Sequence, residues 1–204
     1  MDNQVVASMS EARFSTYLRA AAFDADRARR LYIWNAEIGA AFYLPIQSVE
    51  VVLRNQIVTL AREYFGPQWW GTGDFQKLLN EGSLTALKRA KRDIRRAGHD
   101  LNEGQIVSTL SFGFWTSLAN PDNGFVPLDE WMPHHPSHEV LFVRRSLLRV
   151  SKLRNRISHH EPIFKMDLLR EYSFIMESLH WLCPATHDWI RPHCRVAALV
   201  RQKP

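Results

Sequence analysis

Apolar residues recur at helical spacing along most of this 204-residue chain, and this pattern constrains the fold more than any other feature. In the clearest stretch, from Pro45 to about Phe65, they stand three or four positions apart and therefore share one face of an α-helix. They are Ile46, Val49, Leu53, Ile57 and Leu60. No stretch of any length alternates apolar and polar residues as a half-buried β-strand does. The sequence therefore predicts an all-α, multi-helix bundle.

Further helices are predicted where a capping residue stands just before an apolar-periodic segment. In the N-terminal half, helices are expected from Ser10 to about Ala22, from Asp24 or Asp26 to Leu44, and from Ser83 to about Ala97. A short helix is expected to start at Asp100 or Asn102 and to be followed by one from Ser108 to Ala119, and a long helix is expected from Ser137 to His160. The last two are a helix that starts at Asp167, with Leu168, Leu169, Tyr172, Ile175, Met176 and Leu179 on its apolar side, and a helix from Asp188 to Val200 that Pro192 should interrupt. The segment Gly66 to Gly73 is predicted to be a loop whose Trp69 and Trp70 pack against the core rather than stack on bases.

Length and cysteine content indicate one intracellular domain. The whole chain, residues 1–204, is predicted to form one helical domain with an N-terminal helix within 1–25 and a C-terminal helical extension at 183–204. Its only two cysteines, Cys183 and Cys194, provide no disulfide framework, which is typical of a reducing cytosol. The N-terminus lacks a secretory signal, and the most apolar stretch, Ala36 to Ile46, is shorter than a membrane span. We expect a soluble, cytoplasmic protein without membrane association.

Positive charge is in modest excess and is concentrated in one predicted helix. Lys and Arg outnumber Asp and Glu by 26 to 21. The helix that starts near Ser83 carries cations at Lys88, Arg89, Lys91, Arg92, Arg95 and Arg96, opposed only by Asp93. Such a run is usually a solvated helix face. It is also the best candidate in the sequence for following an RNA backbone, in which case binding would depend strongly on salt.

Protonatable and cationic groups cluster at the end of the helix predicted from Ser137. The stretch Lys152 to Pro162 contains Arg154, Asn155, Arg156, His159, His160 and Glu161. Helical spacing makes Asn155 a neighbour of His159 and places Arg156 near both histidines. An imidazole can exchange a proton near neutral pH, and a guanidinium can stabilise a five-coordinate phosphorus. These groups suit metal-free RNA cleavage, whereas the helix dipole equally favours such residues as simple caps.

Three segments resemble one family. Arg154-Asn155-x-x-x-His159 is similar to the Arg-x4-6-His signature of HEPN domains, and Leu153 to His160 is similar to the "LRN-x-x-x-HH" segment of their abortive-infection (Abi-like) branch. Leu31 to Asn55 resembles the N-terminal helices of that branch, and Thr109 to Trp115 resembles its "LSFG" helix. The resemblance covers roughly residues 30 to 165.

The resemblance implies a HEPN-type helical bundle and a metal-independent endoribonuclease whose site forms at a two-fold homodimer interface. Many members are toxins or phage-defence effectors, so RNA is the expected substrate and a protein or RNA antitoxin is the expected restraint. Arg154 and His159 match the catalytic pair, and Asn155 matches the polar position beside the arginine. The roles of Arg156, His160 and Glu161 stay open. Glu50 and Arg54 are expected either to orient the motif or to form a surface ion pair.

Two alternatives stay open at this stage. The first is a helical module that binds RNA, a nucleotide or a protein without catalysis. The second is a purely structural role, for which the clustered motif has no evident purpose. Residue types that bind metals also occur at His134, His135 and His138, and at Cys183, His187, His193 and Cys194. Neither set has the spacing of a common zinc motif, so no metal and no cofactor is expected.

Overall fold

The computed structural model describes Ser8, residues 10–119 and residues 137–204, with only the backbone described for 137–140. These residues fold into α-helices without a β-strand, which confirms the predicted fold class. The helices are α1 (Glu11–Ala20), α2 (Ala25–Ala41), α3 (Tyr43–Phe65), α4 (Gly73–Lys77), α5 (Glu81–Arg96), α6 (Glu103–Thr109), α7 (Phe112–Leu118), α8 (Ser137–Ser158), α9 (Leu168–Leu182), α10 (Pro184–Ile190) and α11 (Val196–Val200). Residues 120–136, which the sequence predicts to be a proline-containing loop and which include His134 and His135, and the His138 side chain lie outside the described residues.

Helices α3, α8 and α9 form the centre of the bundle. Helix α9 packs along both α8 and α3, so the predicted stripe of α3 is buried from Ile46 to Ile57, while Leu60 is half-buried. Helices α1 and α2 cover the end of the bundle where α8 terminates. The short helices α4 and α7 pack against α3, and α5 packs on α6 and α7; Trp69 and Trp115 are fully buried in this part of the bundle. Trp70 is buried as well, which confirms the packing interpretation of both tryptophans in the 66–73 loop.

Most predicted N-caps are confirmed. Ser10, Asp24, Asn102 and Asp167 each accept a backbone hydrogen bond from the first turn of their helix. The prediction that Ser83 caps α5 is wrong. Asn80 is the cap, because its Oδ1 accepts from the Ser83 amide at 2.8 Å, and the Ser83 hydroxyl instead lies 2.6 Å from that of Ser117.

Several predicted boundaries are also wrong. The helix expected from Ser108 to Ala119 is interrupted, since α6 ends at Thr109 and extended backbone at Leu110 and Ser111 precedes α7. The last helix begins at Pro184, well before Asp188, and Pro192 falls in a 3₁₀ turn at Arg191–His193 before α11 starts. Leu169, predicted to face the core, is 47% exposed.

Helices α2 and α3 join almost without interruption. The amide of Phe42 donates to Ile38 O and the amide of Ile46 donates to Phe42 O, so helical bonding continues past Pro45, which has no N–H of its own. The joined segment Ala25–Phe65 is long and apolar enough to cross a membrane, although core helices of soluble proteins satisfy the same criteria. The stretch Ala36 to Ile46, predicted from the sequence to be too short for a membrane span, is part of this longer helix. The expected absence of membrane association stays a prediction.

Candidate functional site

Arg154 lies in a groove between α3 and α8. Its Nη2 is 3.8 Å from Glu50 Oε2 on α3, and its Nη1 donates to Asn155 Oδ1 at 3.3 Å. The arginine side chain is 34% exposed. Because 3.8 Å is longer than a hydrogen bond, the carboxylate orients the guanidinium without occupying its donors. The sequence-based hypothesis that Glu50 orients the motif arginine is consistent with this contact.

The groove has an open volume of about 400 Å³ and combines positive charge with an aromatic edge. Its charged groups are the guanidinium groups of Arg54 and Arg154 and one carboxylate, Glu50, which leaves a net charge of +1. Tyr43, 69% exposed, lines its rim. Ser158 adds a hydroxyl. A groove of this kind can bind a phosphate group and place an aromatic ring beside it.

The alternative for Glu50, a surface ion pair with Arg54, is not formed among the described residues. Arg54 Nε instead donates to Asn55 Oδ1 at 3.3 Å. Glu50 therefore has Arg154 as its ion-pair partner, and the two arginines stand on opposite walls of the groove, one on α3 and one on α8.

Helix α8 ends in a Schellman motif and does not continue to His160 as predicted. The amide of His160 donates to Ile157 O at 3.0 Å, and the amide of Glu161 donates to Arg156 O at 2.8 Å. His160 has φ 55°, the left-handed conformation that this position requires and that histidine adopts more readily than most residues. The left-handed residue reverses the chain, so the backbone leaves the helix axis directly after His159.

His159 is exposed and lies apart from the Arg154 groove. Its amide still donates to Asn155 O at 2.9 Å, which makes it the C-cap of α8. Its imidazole makes no side-chain hydrogen bond or ion pair with any described residue, and it lines neither of the two grooves beside the motif. Residues five apart on a helix point roughly 140° away from each other. One copy of the chain therefore does not bring the predicted pair, Arg154 and His159, together.

The remaining motif residues stabilise the turn after α8. Arg156 Nε is 3.2 Å from Glu161 Oε2, and Arg156 Nη2 donates to Pro162 O at 3.3 Å. His160 O accepts from Arg13 of α1 at 3.2 Å. His160 and Glu161 also line a second groove of about 400 Å³ between α1, α2 and the turn. Within one chain, Arg156 and Glu161 thus have a structural role, and Tyr43 and Ile157 line both grooves.

Asn35 on α2 fixes the segment that follows the motif, a role that the sequence analysis did not assign. Its buried Oδ1 accepts from the amides of Ile163 at 2.8 Å and Phe164 at 3.1 Å. Tyr17 packs beside them, with its ring centroid 5.1 Å from that of Phe164, and burial together with Tyr32 raises the pKa of Tyr17 to about 12. The sequence does contain one sign of this role, because Asn35 is a polar amide within the apolar run from Leu31 to Leu44.

The predicted RNA-binding cations lie on the outer faces of α5. Lys88, Arg89, Arg92, Arg95 and Arg96 are exposed and Lys91 is half-buried, with its pKa lowered by burial and by Arg95. Asp93 lies 3.4 Å from Arg89 and 3.6 Å from Arg92. Helix α5 packs on α6 and α7, and α6 is joined to α3 by the Glu103–Arg62 ion pair. Because Arg62 lies about 18 Å along α3 from Glu50, the basic helix and the Arg154 groove are at different ends of α3.

No family model, curated protein or solved structure matches the chain significantly. The resemblance to HEPN domains therefore rests on the residues of the three segments themselves.

Proposed function

We propose that this protein is a metal-independent endoribonuclease of the HEPN type, active as a homodimer in the cytoplasm, and that it acts as a toxin or phage-defence effector. The observation that carries the proposal is the Arg154 groove. A guanidinium held by Glu50 and Asn155, with a second guanidinium opposite it and an exposed tyrosine at the rim, is a receptor for a phosphate with an adjacent base.

The proposed chemistry uses His159 for proton transfer and Arg154 for charge stabilisation. The imidazole accepts the proton of the ribose 2′-OH as that oxygen attacks phosphorus. Arg154 stabilises the negative charge of the phosphorane, and Asn155 holds the guanidinium by the 3.3 Å hydrogen bond. The bond between phosphorus and the 5′-oxygen then breaks, and the imidazolium returns its proton to that oxygen. The product ends in a 2′,3′-cyclic phosphate.

The separation of Arg154 and His159 within one chain makes the dimer part of the mechanism. Arg154 faces α3, while His159 caps α8 on another side with its imidazole unpartnered by described residues. In a two-fold dimer, each His159 can face the Arg154 groove of the other copy, which creates two equivalent sites. A composite site of this kind accounts for a motif whose two members diverge on one helix.

A second candidate function is RNA or nucleotide binding without cleavage. The same divergence of Arg154 and His159 favours it, because one chain alone forms an anion-binding groove without a general base. The two candidates differ in whether RNA is consumed.

The direct test is digestion of RNA in the presence of EDTA. We expect the purified wild-type protein to cleave single-stranded RNA at an unchanged rate after chelation and to leave 2′,3′-cyclic phosphate or its hydrolysed form at the new 3′ end, detected by mass spectrometry. Replacing the ribose at the cleavage position by 2′-deoxyribose removes the attacking 2′-OH and should prevent cleavage. Loss of activity in EDTA, or cleavage of the deoxy substrate, would contradict the mechanism.

The basic face of α5 is expected to bind the RNA backbone. Replacing Lys88, Arg95 and Arg96 with Gln should weaken RNA binding and reduce the slope of log affinity against log salt concentration by about 0.7 per lost phosphate contact. The matched control replaces Arg27, Arg29 and Arg30 on α2, which removes the same charge from another exposed patch and should leave the slope nearer to that of the wild type. If both triple variants reduce the salt slope equally, RNA binding depends on the net charge of the protein and not on the basic face of α5.

A further inference from the structure

Two histidines and an aspartate meet where α9 turns into α10. One ligand atom from each of His180, His187 and Asp188 lies within 4.8 Å of the other two. His187 Nδ1 and Asp188 Oδ1 are 2.8 Å apart, and the rings of His180 and His187 stand edge to face with centroids 5.1 Å apart. Of the set that the sequence offered, the cluster keeps only His187 and adds His180 and Asp188. The two cysteines are engaged elsewhere, because the Thr186 hydroxyl donates to Cys183 Sγ and Cys194 Sγ donates to Ile190 O.

The atom types and spacing suit a divalent transition-metal ion. Imidazole nitrogen and carboxylate oxygen bind Zn²⁺ at about 2.0–2.2 Å, which places neighbouring ligands about 3.3 Å apart in a tetrahedral site. The His187–Asp188 pair is already near that separation. The His187 side chain is 14% exposed, so it is held in place, whereas His180 is exposed and can close the remaining distance by rotating about its side-chain bonds.

The surroundings provide room for a further ligand and nearly balanced charge. The cluster borders a depression of about 340 Å³ that is lined by His180, His187, Glu177 and Arg191. Glu177 and Arg191 line the depression with one charge of each sign, and Asp188 beside it adds one negative charge. Water entering the depression can occupy the fourth position of a three-ligand site.

We propose that His180, His187 and Asp188 bind one Zn²⁺-like transition-metal ion per chain. The ion takes the place of the proton shared by His187 and Asp188, and it links the last turn of α9 to α10 across Cys183 and Pro184. The site stands apart from the proposed nuclease site, because His180 lies about 18 Å along α9 from the end that adjoins the motif. Its expected effect is on the stability of the α9–α10 corner, and RNA cleavage is expected to proceed without the ion.

Calorimetric titration of Zn²⁺ into the EDTA-dialysed full chain tests the proposal. We expect each chain to bind one Zn²⁺ ion tightly and to melt at a higher temperature when Zn²⁺ is present. Mg²⁺, which prefers oxygen ligands, should not raise the melting temperature. His180→Gln, made at an exposed position, and Asp188→Asn each remove a direct ligand and should weaken Zn²⁺ binding by at least the roughly 10- to 100-fold that loss of an outer-shell partner costs. Melting in the absence of Zn²⁺ establishes that each variant is folded.

Two control variants locate the ion. His193 is a nearby exposed histidine, and replacing it with Ala should leave the Zn²⁺ affinity unchanged. Replacing His134, His135 and His138 together with Ala should also leave it unchanged. Unchanged Zn²⁺ affinity in His180→Gln and Asp188→Asn, or loss of binding in either control, would overturn the proposed site. These outcomes do not depend on the nuclease proposal, which is tested separately by RNA cleavage in EDTA.

Discussion

Replacing His159 with Ala is expected to lower the rate of RNA cleavage by about 100- to 10,000-fold, the usual contribution of a general acid or base. Replacing Arg154 with Ala is expected to cost about 100- to 1,000-fold, as the loss of one donor to the transition state does. The His159→Ala variant should still bind RNA with near wild-type affinity, because the Arg154 groove is intact. Rates measured on a labelled RNA under single-turnover conditions separate these effects.

Two remote replacements serve as controls for charge and residue type. His193→Ala removes another exposed histidine, and Arg170→Ala removes another exposed arginine. Both should cleave RNA at the wild-type rate. If His159→Ala and Arg154→Ala cleave as fast as these controls, the motif has no catalytic role and the cleavage arises from other residues. If the wild-type protein binds RNA without cleaving it, the non-catalytic binding module is the better account.

Replacing Asn35 with Ala is expected to destabilise the protein by about 2–4 kcal/mol, because it leaves the buried amides of Ile163 and Phe164 without an acceptor. The segment after the motif should loosen, and Tyr17, which packs against Phe164, should lose part of its support. Urea unfolding, monitored by circular dichroism, measures the change in the free energy of unfolding.

The matched control is Asn55→Ala. Asn55 is exposed on α3, and its Oδ1 accepts only an exposed Arg54 hydrogen bond at 3.3 Å, so its loss should change stability by less than about 0.5 kcal/mol. A change of that small size in Asn35→Ala would show that the segment after α8 is held by packing alone.

Local features of this fold were predictable because they depend on neighbouring residues. The apolar stripe of α3 and the caps at Asp24 and Asp167 follow from periodicity and from side chains that reach the next turn. The end of α8 was not predictable, since His160 occupies a left-handed position where glycine is the usual signal. The cap of α5 was misplaced because Asn80 and Ser83 are both acceptable caps, and only burial of Ser83 against Ser117 decides between them.

Only part of the candidate site was predictable from the sequence. The approach of Glu50 to Arg154 was one of the two alternatives that the sequence left open for Glu50. The divergence of Arg154 and His159 follows from their five-residue spacing once Arg154 is drawn to α3. Contacts between distant segments, such as Asn35 with Ile163 or His180 with His187 across the turn at Pro184, depend on helix packing that no local pattern encodes.

Crossed dimers test the composite nuclease site most directly. Chains with Arg154→Ala and chains with His159→Ala, carrying different affinity tags, are co-expressed and the mixed dimer is purified through both tags. The composite site predicts that this mixed dimer regains up to about half of the wild-type cleavage rate, because one of its two sites is intact. A dimer of a wild-type chain and a chain with both replacements should be inactive, since each of its sites lacks one group. Activity in this second dimer with none in the crossed dimer would contradict the composite site.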